Sequence, residues 1–491
     1  MAKERKKEGR IIMKKKILLT LTTLFVALFT LGVVNASAAT YGDLTYEIKD
    51  GEVTITDCNE SATSVIIPEK IEGYPVTSID DSAFYWLDNL TSVVIPDSIK
   101  SIGNDAFYVC SNLSSVSTTN IETWCKIEFE NYYSNPLMYA KKLYIDGICV
   151  EKLLIPDGVT VIGDYAFNGC SSLVSVDIPN SVTSIGEYAF ENCYSLENIY
   201  YKGTIEDWCK ISFNNMYSNP VYYADHLYVL DENNEYYDIT DDKNSIDLKI
   251  PDTVTSIASH QFDKMAALKT VTISNSVTSI GGAAFSNCTS LESIEIPNSV
   301  TSIGASAFSN CTSLSSVVIG DSVTNIGDSA FRYCTSLENV YYNGTLEEWC
   351  NISFGFEGHP AYFVDHLYML DENNEYYDVT DAKNNIDLKI PDTVTSIASR
   401  QFYKMAAIKS VIISDSVTSI GYEAFYECRE LTSVIIPNSV ISIDGYAFSG
   451  CKSLTVYCEA LSKPSNWSEY WSEHYSNWGV KMIVVVWGYI K

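Results

Sequence analysis

Basic residues and histidine are scarce in this chain. Its 491 residues include 32 Lys or Arg against 62 Asp or Glu, a net charge of −30. Nucleic acid binds proteins that neutralise its phosphates with Lys and Arg, so this balance excludes it as a partner. The charge favours solubility and basic or cation-bridged partners instead. Only five histidines occur, His226, His260, His359, His366 and His474, and none has a metal-protease spacing such as HExxH. There is no CxxC pair, no Cys/His cluster with zinc spacing, and no GxSxG, phosphate-loop or dinucleotide fingerprint. The sequence therefore assigns no catalytic, cofactor or metal residue. Long apolar runs are also missing, except from Ile17 to about Val34. That run follows eight basic residues and precedes Ala36-Ser37-Ala38, so residues 1–38 read as a signal peptide cut after Ala38. An uncleaved anchor is the alternative. Cleavage removes a net +6, turns the −30 of the whole chain into −36 and leaves no membrane span.

What is abundant is repetition. VTSIGGAAFSNCTSLESIEIPNS from Val277 is followed by VTSIGASAFSNCTSLSSVVIGDS from Val300, a period of 23 residues. The register recurs about 11 times, at Phe84, Phe107, Phe167, Phe190, Phe262, Phe285, Phe308, Phe331, Phe402, Phe425 and Phe448. One such unit cannot bury its apolar side alone, so neighbours must stack. The expected fold is an α/β repeat solenoid of leucine-rich-repeat type. Each turn would supply one short parallel strand to a single long sheet.

Within one turn, Ser293-Ile294-Glu295-Ile296 alternates polar and apolar, the sign of a strand with Ile294 and Ile296 inward. Val277 and Ile280 form a second inward pair, and Gly281 reads as a turn residue. Ala284, Phe285 and Cys288 stand at i, i+1 and i+4, the spacing of a short helical turn. The phenylalanines are expected to form one continuous buried ladder.

Eight of the 14 cysteines occupy one repeat position: Cys110, Cys170, Cys193, Cys288, Cys311, Cys334, Cys428 and Cys451. Leu87, Met265 and Met405 replace them in three copies, so the site asks for a small-to-medium apolar group. Stacking would bring these sulfurs within about 5 Å, which leaves pairing open, but the substitutions favour buried thiols.

Three insertions interrupt the repeat, near 118–152, 200–246 and 341–386. Each contains a Trp-Cys pair (Trp124, Trp208 and Trp349 lead them) and reads as a capped short helix followed by a hairpin. The tips Asp231–Glu235 and Asp371–Glu375 lack EF-hand spacing and read as solvated turns, with His226 and His366 as structural equivalents beside them. Val254 and Val394 begin nearly identical stretches 140 residues apart, a duplication. The expected division is signal peptide 1–38, N-terminal cap 39–75, solenoid 76–454 and C-terminal cap 455–491. In the last segment Trp467, Trp471 and Trp478 read as a polar loop before a final strand, Ile483 to Trp487.

The pattern SVTSIGxxAFxxCxSLxSVxIP resembles the BspA-like leucine-rich repeats of bacterial surface and secreted proteins. YYxGTxxEW and the closing CEAxSKPxxW…VVWGY resemble that family too, over about residues 41–491. The resemblance implies a right-handed solenoid exported by a bacterium, some of whose relatives adhere to host matrix or other cells, with no catalytic residues attached to the repeat. No LPxTG-like motif is present, so the expected location is secreted, with at most loose surface association.

The functional expectation is a non-enzymatic binding scaffold for a host or bacterial surface protein or glycan. Outward strand positions should line up across turns, and the candidate partner-binding column is Val94, Asp177, Tyr200, Thr272, Glu295, Val318, Tyr341, Ile412 and Ile435. Coverage by the insertions is the competing expectation for these side chains. The alternative functions are a glycan-active enzyme using Glu206 or Glu347 in the insertions, and a structural envelope component.

Overall fold

The structure, a computed structural model, describes residues 39–490 apart from 216, 365, 477 and 478. The expected signal peptide and Trp478 lie outside the described residues. The chain forms two compact units. One contains the described residues up to Val174 with Tyr188–Leu196, and the other contains Ser175–Glu187 with everything from Glu197 onward. Both are β-solenoids of stacked parallel-strand coils.

The period-2 stretch is a strand, Ser293–Ile296, with Ile294 and Ile296 buried and Ser293 and Glu295 exposed. It pairs in parallel with Ser316–Ile319, one repeat on, Ile294 opposite Val317 and Glu295 opposite Val318. Most coils carry a second strand, against the expectation of one. Ser279–Ile280 pairs in parallel with Ser302–Ile303, and Asn325–Ile326 follows. Two residues are too few to show a period, so the sequence revealed only their inward Val and Ile.

The phenylalanine corner is not a helical turn. Ala283 and Asn287 are left-handed, at φ 51° and 61°. The equivalent positions are left-handed in the other coils, whether they hold Ser306, Tyr333, Arg400 or Glu427. This alternation splits the backbone donors into two sets. Ala283, Phe285 and Asn287 donate N–H to Ala305, Ala307 and Ser309 of the next coil at 2.7–2.9 Å. Ala284, Ser286 and Cys288 donate to the carbonyl three residues back in their own coil. The corner is thus a third inter-coil ladder, which a helix would forbid by turning every N–H along its own axis. Left-handed residues other than glycine cost on the order of 1–3 kcal/mol each unless the surroundings hold them. Ser306→Val, a β-branched residue at φ 56°, should lower stability by about that amount in denaturant unfolding. Among the described residues α-helix is confined to four-residue segments such as Ile205–Trp208.

The core holds the phenylalanines, all fully buried. Phe285 stacks on Phe308 and Phe308 on Phe331, both at 5.4 Å and nearly parallel. The repeat cysteines do more than fill space. Cys311 Sγ donates to Phe285 O of the preceding coil at 3.1 Å, and Cys334 Sγ to Phe308 O at 3.0 Å. Cys110, Cys193, Cys288, Cys428 and Cys451 do the same. Leu87, Met265 and Met405 stand in coils with no phenylalanine coil before them, where no such carbonyl waits. Cys170 follows an insertion and meets Ser172 instead. Among the described residues no disulfide forms. Burial pushes the Cys170 thiol up to about 11 and raises those of Cys193 and Cys428 as well, and in the first insertion it pushes Cys125 up to about 12. Thiolate is the reactive form, so a thiol reagent at pH 8 should label almost no repeat cysteine before unfolding and all of them after.

The insertions are helix-plus-hairpin units, as expected, but each is also a coil of the stack. His226–Leu230, the first hairpin strand, continues the parallel sheet beside Asn198–Lys202. The second strand, Tyr236–Asp238, returns antiparallel and occupies the edge. Ile246–Lys249 then opens a new sheet. His366–Leu370 and Tyr376–Asp378 repeat this arrangement. The long sheet is therefore broken at the hairpins, the phenylalanine ladder breaks with it, and about 18 coils replace the expected 11. Side chains bridge the breaks. Trp208 Nε1 donates to Gln261 O at 3.0 Å and Gln261 Nε2 returns a bond to Trp208 O at 2.8 Å. Trp349 and Gln401 form the same pair at 3.1 and 2.7 Å. In the other unit Trp124 Nε1 donates to Ala166 O at 2.8 Å.

At the N-terminal end Leu44–Lys49 and Glu52–Cys58 form an antiparallel hairpin around Asp50 and Gly51. At the other end Val484–Trp487 pairs in parallel with Thr455–Cys458. Trp467 and Trp471, read as a polar loop, are 3% exposed. Trp471 meets Phe448 edge-on at 6.1 Å and closes the last phenylalanine run.

Candidate binding surface

The outward strand positions are where partners could be met. Thr272, Glu295 and Ile412 are exposed, and Val94, Asp177, Tyr200, Val318, Tyr341 and Ile435 are half-buried. The sheet breaks prevent a single nine-residue column. Val94 lies opposite Ile66 and Ser117. Asp177, Tyr200 and Tyr228 form a second row. Thr272, Glu295, Val318, Tyr341 and Tyr368 form a third. Ile412, Ile435 and Tyr457 form a fourth.

Two of these rows end in equivalent tyrosine trios. Tyr200 stacks on Tyr228 at 4.8 Å and 11°, with Tyr236 edge-on at 5.5 Å. Tyr341 stacks on Tyr368 at 4.7 Å and 12°, with Tyr376 edge-on at 5.2 Å. The hairpins build these trios because alternation in HLYVL and HLYML points Tyr228 and Tyr368 outward beside the preceding coil's tyrosine. Their return strands bring Tyr236 and Tyr376 over the same face, 44% and 45% exposed. The hairpins thus extend the face at these points. Burial, then the nearby Asp177, pushes the Tyr236 phenol up; for Tyr376 the causes are burial, then Glu295. Both phenols remain hydrogen-bond donors at neutral pH.

Beside each trio a histidine is fixed: His226 Nδ1 lies 2.7 Å from Asp238 Oδ2, and His366 Nδ1 lies 2.7 Å from Asp378 Oδ2. At the hairpin tips Asp231 Oδ1 accepts the N–H of Asn233 and of Glu235, both at 2.8 Å, and Asp371 does the same. These carboxylates shape their own turns. Glu206 and Glu347 sit in the first turns of two short helices, next to Asp207 and Glu348, which are engaged in capping boxes with Thr204 and Thr345. Among the described residues no group of three or more His, Cys, Asp or Glu could hold a metal ion.

Sequence reasoning missed Tyr228, Tyr236, Tyr368 and Tyr376, although carrying the column register into the hairpin strand finds Tyr228 and Tyr368. It also missed Gln261 and Gln401. Their signal was Gln-Phe where other coils read Ala-Phe.

A family model described as "BspA type Leucine rich repeat region (6 copies)" matches residues 56–136, 140–223, 236–357 and 374–476. The chain belongs to this family. Its BspA type repeats are also similar in fold to solved structures. One is a leucine rich cell surface protein from Faecalibacterium prausnitzii, 23% identical over 88% of this chain and 97% of that one, with a TM-score of 0.30. A leucine-rich repeat protein from Bacteroides ovatus is 22% identical over 88% and 89%, with a TM-score of 0.33. Another from Eubacterium ventriosum is 20% identical over 87% and 96%, with a TM-score of 0.36. No curated protein matches the chain. No helix among the described BspA type coils is long and apolar enough to cross a membrane.

Proposed function

We propose that the chain is a non-enzymatic binding scaffold, exported and engaging a protein or glycan of a host or bacterial surface through the outer face of its long-strand sheets. The observation that carries this reading is the pair of tyrosine trios. Tyrosine gives large contact area at little entropic cost and dominates binding hot spots. Here six of them are pre-stacked on an open sheet face, so little ordering is lost on binding. Asp177 in one row, and Thr272, Glu295 and Val318 in the other, continue the faces that end in the trios, Val94 and the pair Ile412 and Ile435 offer separate rows, and the segments 39–75 and 455–491 serve as the caps.

Titration of the purified chain over immobilised matrix proteins, mucins and cell walls tests the reading. Saturable binding to one of them is expected, weakened roughly tenfold or more in the Tyr200→Ala/Tyr341→Ala double variant. No saturable binding to any, or binding indifferent to both tyrosines, contradicts it.

A further inference from the structure

The two duplicated insertions differ most at one place. Six residues separate Phe213 from Pro220, whereas five separate Phe354 from Pro360. The first insertion resembles the second, with YSNP in both, while the third reads GFEGHP. In the second insertion Asn219 Nδ2 donates to His260 O at 2.8 Å, and His260 is held by Asp263 at 3.0 Å. In the third insertion His359 takes the place of Asn219, donating Nε2–H to Gln401 O at 3.0 Å, and Arg400 takes the place of His260. The shortened loop lies close on the coil before it. A Cβ on Gly358 would come 2.5 Å from Gly327 O, so glycine is required there.

The result is a cleft of about 400 Å³, lined by Phe356, Glu357, His359, Ser399, Arg400 and Tyr422. The Arg400 side chain is only 16% exposed, and its Nε donates to Glu423 at 2.8 Å. Its Nη1 and Nη2 have no acceptor among the described residues. Three rings surround the guanidinium, Tyr362 at 4.7 Å, Tyr422 at 5.8 Å and Phe356 at 5.9 Å. Of the two carboxylates nearby, Glu423 is taken by Arg400 and Glu357 by Arg332 at 3.4 Å. Phe356 is 67% exposed at the rim of the cleft.

We propose that this cleft binds a single carboxylate carried on a body with an apolar face, either an aromatic ring or the C–H face of a sugar. The two Nη groups chelate the carboxylate and Phe356 and Tyr422 pack against the body. A second negative charge on the ligand would meet Glu357 and Glu423, so polyanions are disfavoured. Two sources share this chemistry, a free aromatic acid and the acidic sugar of a glycan. The site is separate from the sheet face and does not rest on the reading given for that face.

Calorimetric titration of the whole chain with benzoate, with N-acetylneuraminate and with uncharged benzamide tests the proposal. One site per chain for at least one of the acids, and none for benzamide, is expected; which acid binds identifies the source. Arg400→His installs the residue the duplicate uses and should weaken binding roughly tenfold or more, measured at a temperature where its own melting curve shows the chain folded, since the change also takes away the partner of Glu423. Phe356→Ala should weaken it severalfold, and His260→Arg should add no second site, because the longer loop remains. Absence of binding by both acids, binding that survives Arg400→His, or equal binding of benzamide overturns the proposal.

Discussion

Replacing Phe308 by alanine should lower the unfolding free energy by roughly 3–5 kcal/mol. The ring is fully buried and stacked at 5.4 Å on both sides, so its removal opens a cavity between two rigid neighbours. Collapse of that cavity is hindered because the coil spacing is fixed by backbone bonds, Phe285 N–H to Ala307 O at 2.7 Å and Phe308 N–H to Ala330 O at 2.8 Å. The carbonyl of Phe308 also accepts Cys334 Sγ, which ties the ring position to the next coil. Phe84 offers a comparison, since it has a phenylalanine ring on one side only. Phe84→Ala should fall at the lower end of the same range. Urea unfolding of both variants checks this, and a midpoint for Phe308→Ala equal to the parent's would place the ring outside the core.

Acid should unfold the unit containing His359 more easily than its carboxylates alone explain. His359 is 1% exposed, and burial, with a smaller contribution from the Arg400 charge, pushes its imidazolium down from 6.5 to about 3. The folded pKa lies below the unfolded one, so between those values the unfolded chain binds the extra proton. The stabilisation is fully present above about pH 6.5 and is lost as pH falls towards 3. The difference amounts to roughly 4–5 kcal/mol across that window. His359→Asn should remove most of it, because asparagine does not titrate, and Asn219 fills the equivalent place in the other insertion, where it bonds His260 O. Denaturant unfolding of parent and variant at pH 7 and pH 4 measures the effect. Parallel loss of stability in the two proteins would show that His359 carries no such charge penalty.

Much of the coil was legible in the sequence, and for a physical reason. Alternation in Ser293–Ile296 and the recurring Phe, Leu, Val and Ile record burial directly, and burial is what neighbouring coils impose. The corner at Ala283–Cys288 was only partly legible. Its first left-handed position holds Ser, Asp, Tyr, His, Ala, Arg or Glu in different coils, so no residue type marks it, whereas the second holds Asn192, Asn287, Asn310, Gly169 and Gly450 in five coils, a signal that the helical reading passed over. The conformation follows from hydrogen bonds to a coil 23 residues away, which a local helix rule cannot see. The cysteines were half understood. Their apolar replacements showed a packing role, while the bond to the preceding Phe carbonyl explains why Leu and Met appear only where that carbonyl is missing. The surface was also half legible. Tyr200 and Tyr341 stood out in the strand register, but their partners lie on hairpins read as interruptions of the stack.

Hydrogen exchange resolved to single amides across Ala283–Cys288 tests the stacked-coil structure most directly. Ala283, Phe285 and Asn287 donate to the following coil, so their amides should be protected as strongly as those of the strand Ser293–Ile296. Exchange there as fast as at the exposed hairpin tip Glu232–Glu235 would mean that the coils are not joined along this edge, and the fold described here would be wrong.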